Sequence, residues 1–505
     1  MKISKTLKLI VIATLLSFII TVYYIEYYGN HDRFNQSGNE LKILLAPDNL
    51  IENEDSILNT TAVQKELNQN PLTFWSSDFH ISTVADIKST LQNYNIMFID
   101  KSLSNHCHLT NTCERDLKII HKLNGINLGQ CPNKIKRDFY NEYRCNKEFL
   151  SVDAFLCTHA TSMCELFMPF NTSLIVIAAT RYEIGRHDAK RWKEWNLNLQ
   201  KIASNPYNIV AANNKYDLEY IKYFTNIHKV LLLPSYCGYI QNRYLPTKQE
   251  ILIAPARGVN SKLAKELFDE LGLYQKSIIK NNNIKSNILQ NNELKIAHIR
   301  DLYSYFKYTD ISSHPALIIL PYQISFMSFF EFYRMEIPMF VPTPELLAKW
   351  HLLYGCLNER SWSTVYGMPS SNSVINKHHN SSSTFKFDPN NELDYNAILE
   401  WIKLADFYEF PHIIQFSSWN ELFSLLVTLD LNNVSKKMKE FNILEHIKVV
   451  DSWNIVLKNI IRGKKYKRSA FSSSYISNDC NQMPLSYDDA LNLSYSSQIS
   501  LDCVG

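Results

Sequence analysis

The sequence predicts an α/β protein of two successive parallel-sheet halves, set behind an N-terminal transmembrane helix. Three observations predict this. From Leu41 onward, short apolar runs bounded by turn or polar residues alternate with helical stretches, the pattern of a parallel sheet covered on both faces. The alternation starts again at Glu250, so the chain carries two such series. Ahead of both, Leu9 to Ile25 is an apolar run unbroken by charge, long enough to span a bilayer. With 505 residues, 46% hydrophobic and 20% charged, the chain is globular in composition and large enough for two cores.

The N-terminus sets the expected compartment. Lys2, Lys5 and Lys8 precede the apolar run, and Tyr23, Tyr24, Tyr27 and Tyr28 close it. Lysines on the short side favour a cytosolic N-terminus, and tyrosines suit the far interface. The expected layout is a cytosolic tail over residues 1–8, a signal anchor over 9–28 and a polar stem over 29–40. A cleaved signal peptide is the competing reading, but no Ala-x-Ala-like site follows the run. Either way the body faces the secretory lumen, as a type II protein of the Golgi or endoplasmic reticulum membrane in the first case. Sequons at Asn35, Asn59, Asn171, Asn380, Asn433 and Asn492 agree with that side. The 10 cysteines form an even set without Cys-x-x-Cys pairs, so disulfides are expected rather than zinc. Cys107–Cys113, Cys131–Cys145 and Cys157–Cys164 are the expected local pairs.

The first half, residues 41–248, offers strands at Leu41–Ala46, Asn95–Asp100, Ala154–Thr158, Ser173–Ala179, Asn208–Ala212 and Lys229–Pro234. Each is a short apolar run with polar or turn residues at its ends. The stretch Tyr216–Thr225 is one of the helices between them. The second half, residues 249–462, has strands at Ile251–Ala254, Ala316–Pro321 and Pro338–Val341, with helices at Ser261–Leu271 and Ser325–Met335. The Asn-rich stretch Lys276–Lys295 and the polar stretch Met368–Asn391 read as surface loops. Amphipathic helices are expected at Tyr395–Leu404, Ser418–Val427 and Val449–Ile461. Residues 463–505 turn basic and then Ser-rich, and are expected to be poorly ordered.

Two stretches of the second half carry the chemistry. Strand Ile251–Ala254 runs into Pro255-Ala256-Arg257-Gly258-Val259-Asn260-Ser261-Lys262, a basic loop opening a helix. Two cations near a helix N-terminus suit a diphosphate, although a loop of two solvated cations is the plain alternative. Further on, Glu331 precedes Pro338 and an apolar strand, and a carboxylate there can accept from ribose hydroxyls. The two stretches together resemble the GT-B glycosyltransferases, in particular the retaining group that includes sucrose and trehalose synthases. In that group a strand, Gly-Arg, a short gap and Lys are followed by Glu-x7-Glu, Gly-x-Pro and a strand. Arg257 and Lys262 match the cation pair, Glu331 the second glutamate, and Pro338 the proline. The chain departs at Gln323, where the first glutamate stands in the family, and at Glu336, where glycine is usual.

The resemblance implies a GT-B fold: two Rossmann-like domains facing a cleft, an acceptor domain first and a donor-nucleotide domain second. It implies a nucleotide-sugar donor held by Arg257, Lys262, Gln323, Ser325, Ser328 and Glu331. His314, just before the strand that carries the donor loop, is a further candidate for a base or phosphate contact. The acceptor would be a glycan, protein or lipid. If the enzyme inverts, a general base is expected after the strands of the first half, from His159, Glu183, His187 or Asp188. A buried structural histidine and a surface ion-pair loop that includes Arg181 and Arg186 are the competing readings there. Trp192 and Trp195 could stack on a sugar, or at helical spacing belong to the core.

Other classes recede. No Gly-x-Gly-x-x-Gly or Walker loop is present among only 12 glycines. A net charge of +3 gives no sign of nucleic acid. No Asp-x-Asp occurs, and the GT-B resemblance calls for no metal or other cofactor. Two rivals stay open: a catalytically silent GT-B fold acting as a lectin or assembly partner, and a lumenal sulfotransferase, whose phosphosulfate loop Leu41–Asn53 lacks the required cations beyond Lys42.

Overall fold

The computed structural model describes residues 54–125, 132–179, 188–281, 293–357, 359–361, 370–473, 484 and 486–495. The expected anchor, stem and Leu41–Ala46 strand lie outside these. Among the described residues no helix is long and apolar enough to cross a membrane. Contacts divide the chain into Met1–Ile57 and Leu58–Gly505, and both sheets belong to the second unit.

The first sheet has six strands: β1 Leu72–Ser76, β2 Ile96–Asp100, β3 Ala154–Cys157, β4 Ser173–Ala178, β5 Ile209–Ala212 and β6 Leu231–Leu232. They run in the order β2-β1-β3-β4-β5-β6, every pairing parallel. The second has five, also parallel: β7 Ile251–Ala254, β8 Ile296–His298, β9 Leu317–Ile319, β10 Met339–Pro342 and β11 Ile414–Phe416, in the order β11-β10-β9-β7-β8. Counted from its own first strand, each sheet steps to one side for its second strand and to the other for the rest. The two halves therefore share one Rossmann-like topology. β1, β8 and β11 were not expected from sequence.

Alternation along the strands sorts the core. Phe74, Leu156, Ile175 and Ile177 join one cluster, while Trp75, Phe155, Cys157, Leu174 and Val176 join the other, as a period of two requires. The first cluster is closed by Val449, Trp453, Val456, Leu457 and Ile460. Those residues were expected to belong to the second half. They sit on the 43-residue helix Leu431–Ser473, whose earlier part places Asn442 on the Tyr333 carbonyl at 3.2 Å in the second half. One helix thus packs on both halves.

That helix also corrects the expected start of a loose tail at residue 463. A Cβ on Gly463 would lie 2.9 Å from Ser173 Oγ and 3.1 Å from Tyr207 Cβ, so glycine lets the helix pass tightly there. Lys464 Nζ then donates to Asp153 Oδ2 at 2.8 Å and to the Pro71 carbonyl at 2.6 Å. Farther on, helix Tyr487–Tyr495 docks on the first half, with Tyr487 Oη donating to the Glu165 carbonyl at 3.1 Å.

Other expectations resolve locally. Trp192 and Trp195 are fully buried, and Trp192 packs on Phe224 with centroids 5.8 Å apart; they are core, not a sugar platform. Disulfides join Cys107 to Cys113 and Cys157 to Cys164. Cys145 is also disulfide-bonded, and its expected partner Cys131 lies outside the described residues. Helix Ser261–Asn281 takes in the start of the stretch expected as the loop Lys276–Lys295. Residues 370–391 form no helix or strand, but their end is not a free loop. Tyr220 Oη donates to Asn390 Oδ1 at 3.0 Å, and Phe385 packs on Trp401 at 4.6 Å.

Candidate functional site

In an open parallel sheet a crevice forms at the carboxyl ends where the strand order reverses. The first sheet reverses between β1 and β3, and the second between β7 and β9. The sequence candidates can be sorted by whether they reach these two places.

Two donor-side loops meet at the second. The loop after β7 carries Arg257 and Lys262, both exposed, and neither forms an ion pair among the described residues. Asn260 Oδ1 accepts from Lys262 N at 3.0 Å and Leu263 N at 3.3 Å, which caps helix Ser261–Asn281. Gly258 has φ +81, and a Cβ there would lie 2.6 Å from Tyr322 Cγ in the loop after β9. The two loops pack so closely that only glycine fits. Gly258→Ala should therefore cost about 1–3 kcal/mol of stability. Chemical denaturation checks this, and an unchanged midpoint would show that the loops can part freely.

Gln323 and the next helix line the same crevice. Gln323 Nε2 donates to Tyr322 Oη at 2.8 Å, while its buried Oε1 has no hydrogen-bond partner among the described residues. Exchanging the amide's O and N would still leave one polar atom unpaired. Ser325 is buried and Ser328 half-buried, on either side of Phe326. Phe326 is the N-cap of helix Met327–Arg334 and gives no side-chain cap; Phe329 N donates to the Phe326 carbonyl at 3.0 Å, which leaves the Met327 and Ser328 N–H groups for a ligand.

Glu331 lies on that helix. Its Oε1 accepts from Tyr239 Oη at 2.7 Å and from Tyr308 Oη at 2.9 Å. Burial raises its pKa, opposed by the two hydroxyl bonds. Oε2 has no hydrogen-bond partner among the described residues. The carboxylate is thus held by one oxygen and offers the other. Glu336, where the resembled family has glycine, adopts φ 66, the left-handed backbone that glycine would take without strain. Its carboxylate lies 3.3 Å from Arg243 Nε.

His314 does not join this group. It precedes β9, at the amino ends of the strands and away from the crevice, and is fully buried. Its Nδ1 lies 2.6 Å from the Glu250 carbonyl and its Nε2 2.8 Å from Tyr303 Oη. A carbonyl only accepts, so Nδ1 carries the proton and Nε2 accepts from the tyrosine. With both nitrogens used and burial lowering its pKa, His314 is a structural histidine.

On the acceptor side, Glu183 and His187 lie outside the described residues, as do Arg181 and Arg186. Asp188 is the N-cap of helix Ala189–Ser204, accepting from Arg191 N at 2.9 Å. That role explains the residue without catalysis. Asp188→Ala should cost about 1 kcal/mol and leave turnover unchanged; turnover lost in a folded variant would return Asp188 to the site.

His159 does reach the first crevice, and with it come Asp78 and His80, which sequence reasoning missed. Asp78 follows β1, and His159 follows β3. The Asp78 carboxylate accepts from His159 N at 2.9 Å, His80 N at 2.5 Å and the Thr158 hydroxyl. Burial pushes its pKa up to about 6 against these bonds and the His159 ring. The His80 and His159 rings lie edge to face, 6.1 Å apart. His80 is exposed, yet desolvation by the protein around it, with the His159 and His106 rings, lowers its pKa to about 4.

A buried carboxylate joins the two crevices. Asp86, on helix Ile81–Thr90, accepts from Tyr236 N at 3.0 Å and Cys237 N at 2.5 Å. Two residues on, Tyr239 donates to Glu331.

No protein-family model matches the chain, and no curated protein matches it either. Among the described residues no group of three or more His, Cys, Asp or Glu could hold a metal ion.

Proposed function

We propose that this chain is a GT-B glycosyltransferase that moves a sugar from a nucleotide-sugar donor to a glycan, protein or lipid acceptor. The observation that carries the proposal is the convergence at the second switch point. The Gly258 loop packs on Tyr322, Gln323 keeps a buried polar atom unpaired, and Glu331 offers a tyrosine-clamped carboxylate. Arg257 and Lys262 would neutralise the departing diphosphate as its charge develops, and that contribution is made in the transition state. Glu331 would accept from ribose hydroxyls, and the uncapped N–H groups near Ser325 and Ser328 would meet phosphate or sugar. Neither a metal nor a nucleic acid enters this reading. The Leu9–Ile25 run would anchor the protein in the Golgi or endoplasmic reticulum membrane, with the body in the lumen.

One observation favours a second reading. Gln323 stands where the resembled family has its sugar-proximal glutamate, which suits a silent fold that binds donor without turning it over. The test is release of free nucleotide by the full chain from each common sugar nucleotide, without added metal, beside Arg257→Ala/Glu331→Ala. Release lost in the double variant supports the transferase. Binding without release supports the silent fold, and absence of binding by the whole panel sinks the donor site.

A further inference from the structure

We propose that His80 is the general base that deprotonates the acceptor hydroxyl, and that Asp78 is its positioning residue. This rests on the donor reading above. His80 stands at the switch point of the first sheet, on the loop leaving β1, where an acceptor facing the donor crevice would enter. Although it occupies the N-cap of helix Ile81–Thr90, its side chain makes no capping bond. Neither ring nitrogen hydrogen-bonds a described residue. His80 therefore presents a free, exposed imidazole from a backbone that is fixed on both sides.

The fixing is specific. Asp78 takes His80 N on Oδ1 and His159 N on Oδ2, so one carboxylate ties the loop after β1 to the loop after β3. The titratable groups facing His80 are Asp78, His106 and His159. Six residues along the same helix, a rise of about 9 Å, Asp86 holds the linker that delivers Tyr239 to Glu331. A single rigid helix thus relates the imidazole to the donor carboxylate.

The step balances without a further reactant. An imidazole nitrogen of His80 takes the acceptor proton while the acceptor oxygen bonds to the anomeric carbon. The bond from that carbon to the diphosphate oxygen breaks, and its electron pair leaves with the nucleotide. The imidazolium later returns its proton to solvent. Direct displacement of this kind inverts the anomeric centre.

The test uses the full chain with water as acceptor. His80→Gln, His106→Gln and His159→Gln are compared for nucleotide affinity, with UDP, GDP and ADP as probes, and for nucleotide release from the donor that the wild type turns over. His80→Gln is expected to lower kcat by about a hundredfold and to leave nucleotide Kd within about twofold. His80→Gly should regain turnover with added imidazole, which a merely structural residue would not do. The sugar released should carry the inverted anomeric configuration by NMR. Turnover in His80→Gln close to wild type, no imidazole rescue, retained configuration, or a wild type that binds nucleotide without releasing any from a donor would each overturn the base assignment alone. A wild type that binds no nucleotide would instead remove the donor reading, and this proposal with it.

Discussion

Glu331→Ala is expected to weaken nucleotide binding by at least about a hundredfold while the protein remains folded. The size follows from the bonds lost. A ribose hydroxyl donating to a carboxylate contributes about 1.5–3 kcal/mol, and two such bonds to Glu331 would disappear together. Tyr239 and Tyr308 would also lose their acceptor, so their hydroxyls would turn to water or remain unpaired. The folding penalty is smaller than that count suggests, because burial already disfavours the Glu331 carboxylate. Tyr308→Phe separates the two effects. It removes one clamp bond and no ligand bond, so affinity should fall by about tenfold or less. Calorimetric titration of UDP, GDP and ADP into the three proteins measures both. Equal affinity in wild type and Glu331→Ala would exclude the carboxylate from the nucleotide site.

The candidates that the structure brings together share a sequence property. Ile251–Ala254 is a fully buried parallel strand, so its four residues are all apolar and both its ends were legible. Once that strand is placed, the loop after it follows, and with it Arg257 and Lys262. The same reasoning failed on the first half for a physical reason. β1 reads Leu-Thr-Phe-Trp-Ser, a half-polar run after Asn70 and Pro71, and its apolar content is carried by aromatics rather than by a branched aliphatic stretch. Without β1 there is no switch point in the first sheet, and Asp78 and His80 at its carboxyl end have no reason to be noticed. An aromatic run followed at once by Ser77-Asp78-Phe79-His80 was the available signal.

The other misses have different origins. β8 and β11 are the edges of their sheet and only partly buried, so neither needs a continuous apolar run. His314 looked functional because it adjoins a site strand, but it precedes that strand, and the crevice of a parallel sheet opens at the carboxyl ends. The basic run after Gly463 looked like a tail because the acid that receives Lys464, Asp153, lies 311 residues away. Asp188 shows the reverse case: an acidic residue ahead of an amphipathic stretch is first a helix cap.

Acid titration should separate the buried ion pairs of both halves from the first crevice. Glu165 is fully buried and accepts from the two terminal guanidinium nitrogens of Arg191 at 2.9 and 2.7 Å. Asn198 Nδ2 donates to it at 2.9 Å, and Lys136 Nζ lies 3.4 Å away. Burial alone would raise this pKa, but the Arg191 and Lys136 cations outweigh it and hold the carboxyl down at about 2. A depressed carboxylate contributes stability that is fully present above its unfolded pKa, near 4.5, and is lost as pH falls toward the folded value. The drop amounts to about 3 kcal/mol. Glu392, paired with Arg360 and His351, is held at about 2 in the same way and adds a similar loss. Above this window the terms oppose one another. Asp78 and Asp86, raised by burial to about 6, gain stability as pH falls from 6, whereas His80, depressed to about 4, loses it, though less than a buried ring would. The net curve should be shallow from pH 7 to 5 and steep from 4.5 to 2. Glu165→Gln strands Arg191 and Lys136 and should cost about 3–5 kcal/mol at pH 7. Its deficit against wild type should shrink as the pH falls from 4.5 to 2, because protonation neutralises the same carboxylate in the wild type. Denaturant midpoints of both proteins across that range measure the difference. A deficit that stays constant would mean that Glu165 acts through its shape and hydrogen bonds, not through its charge.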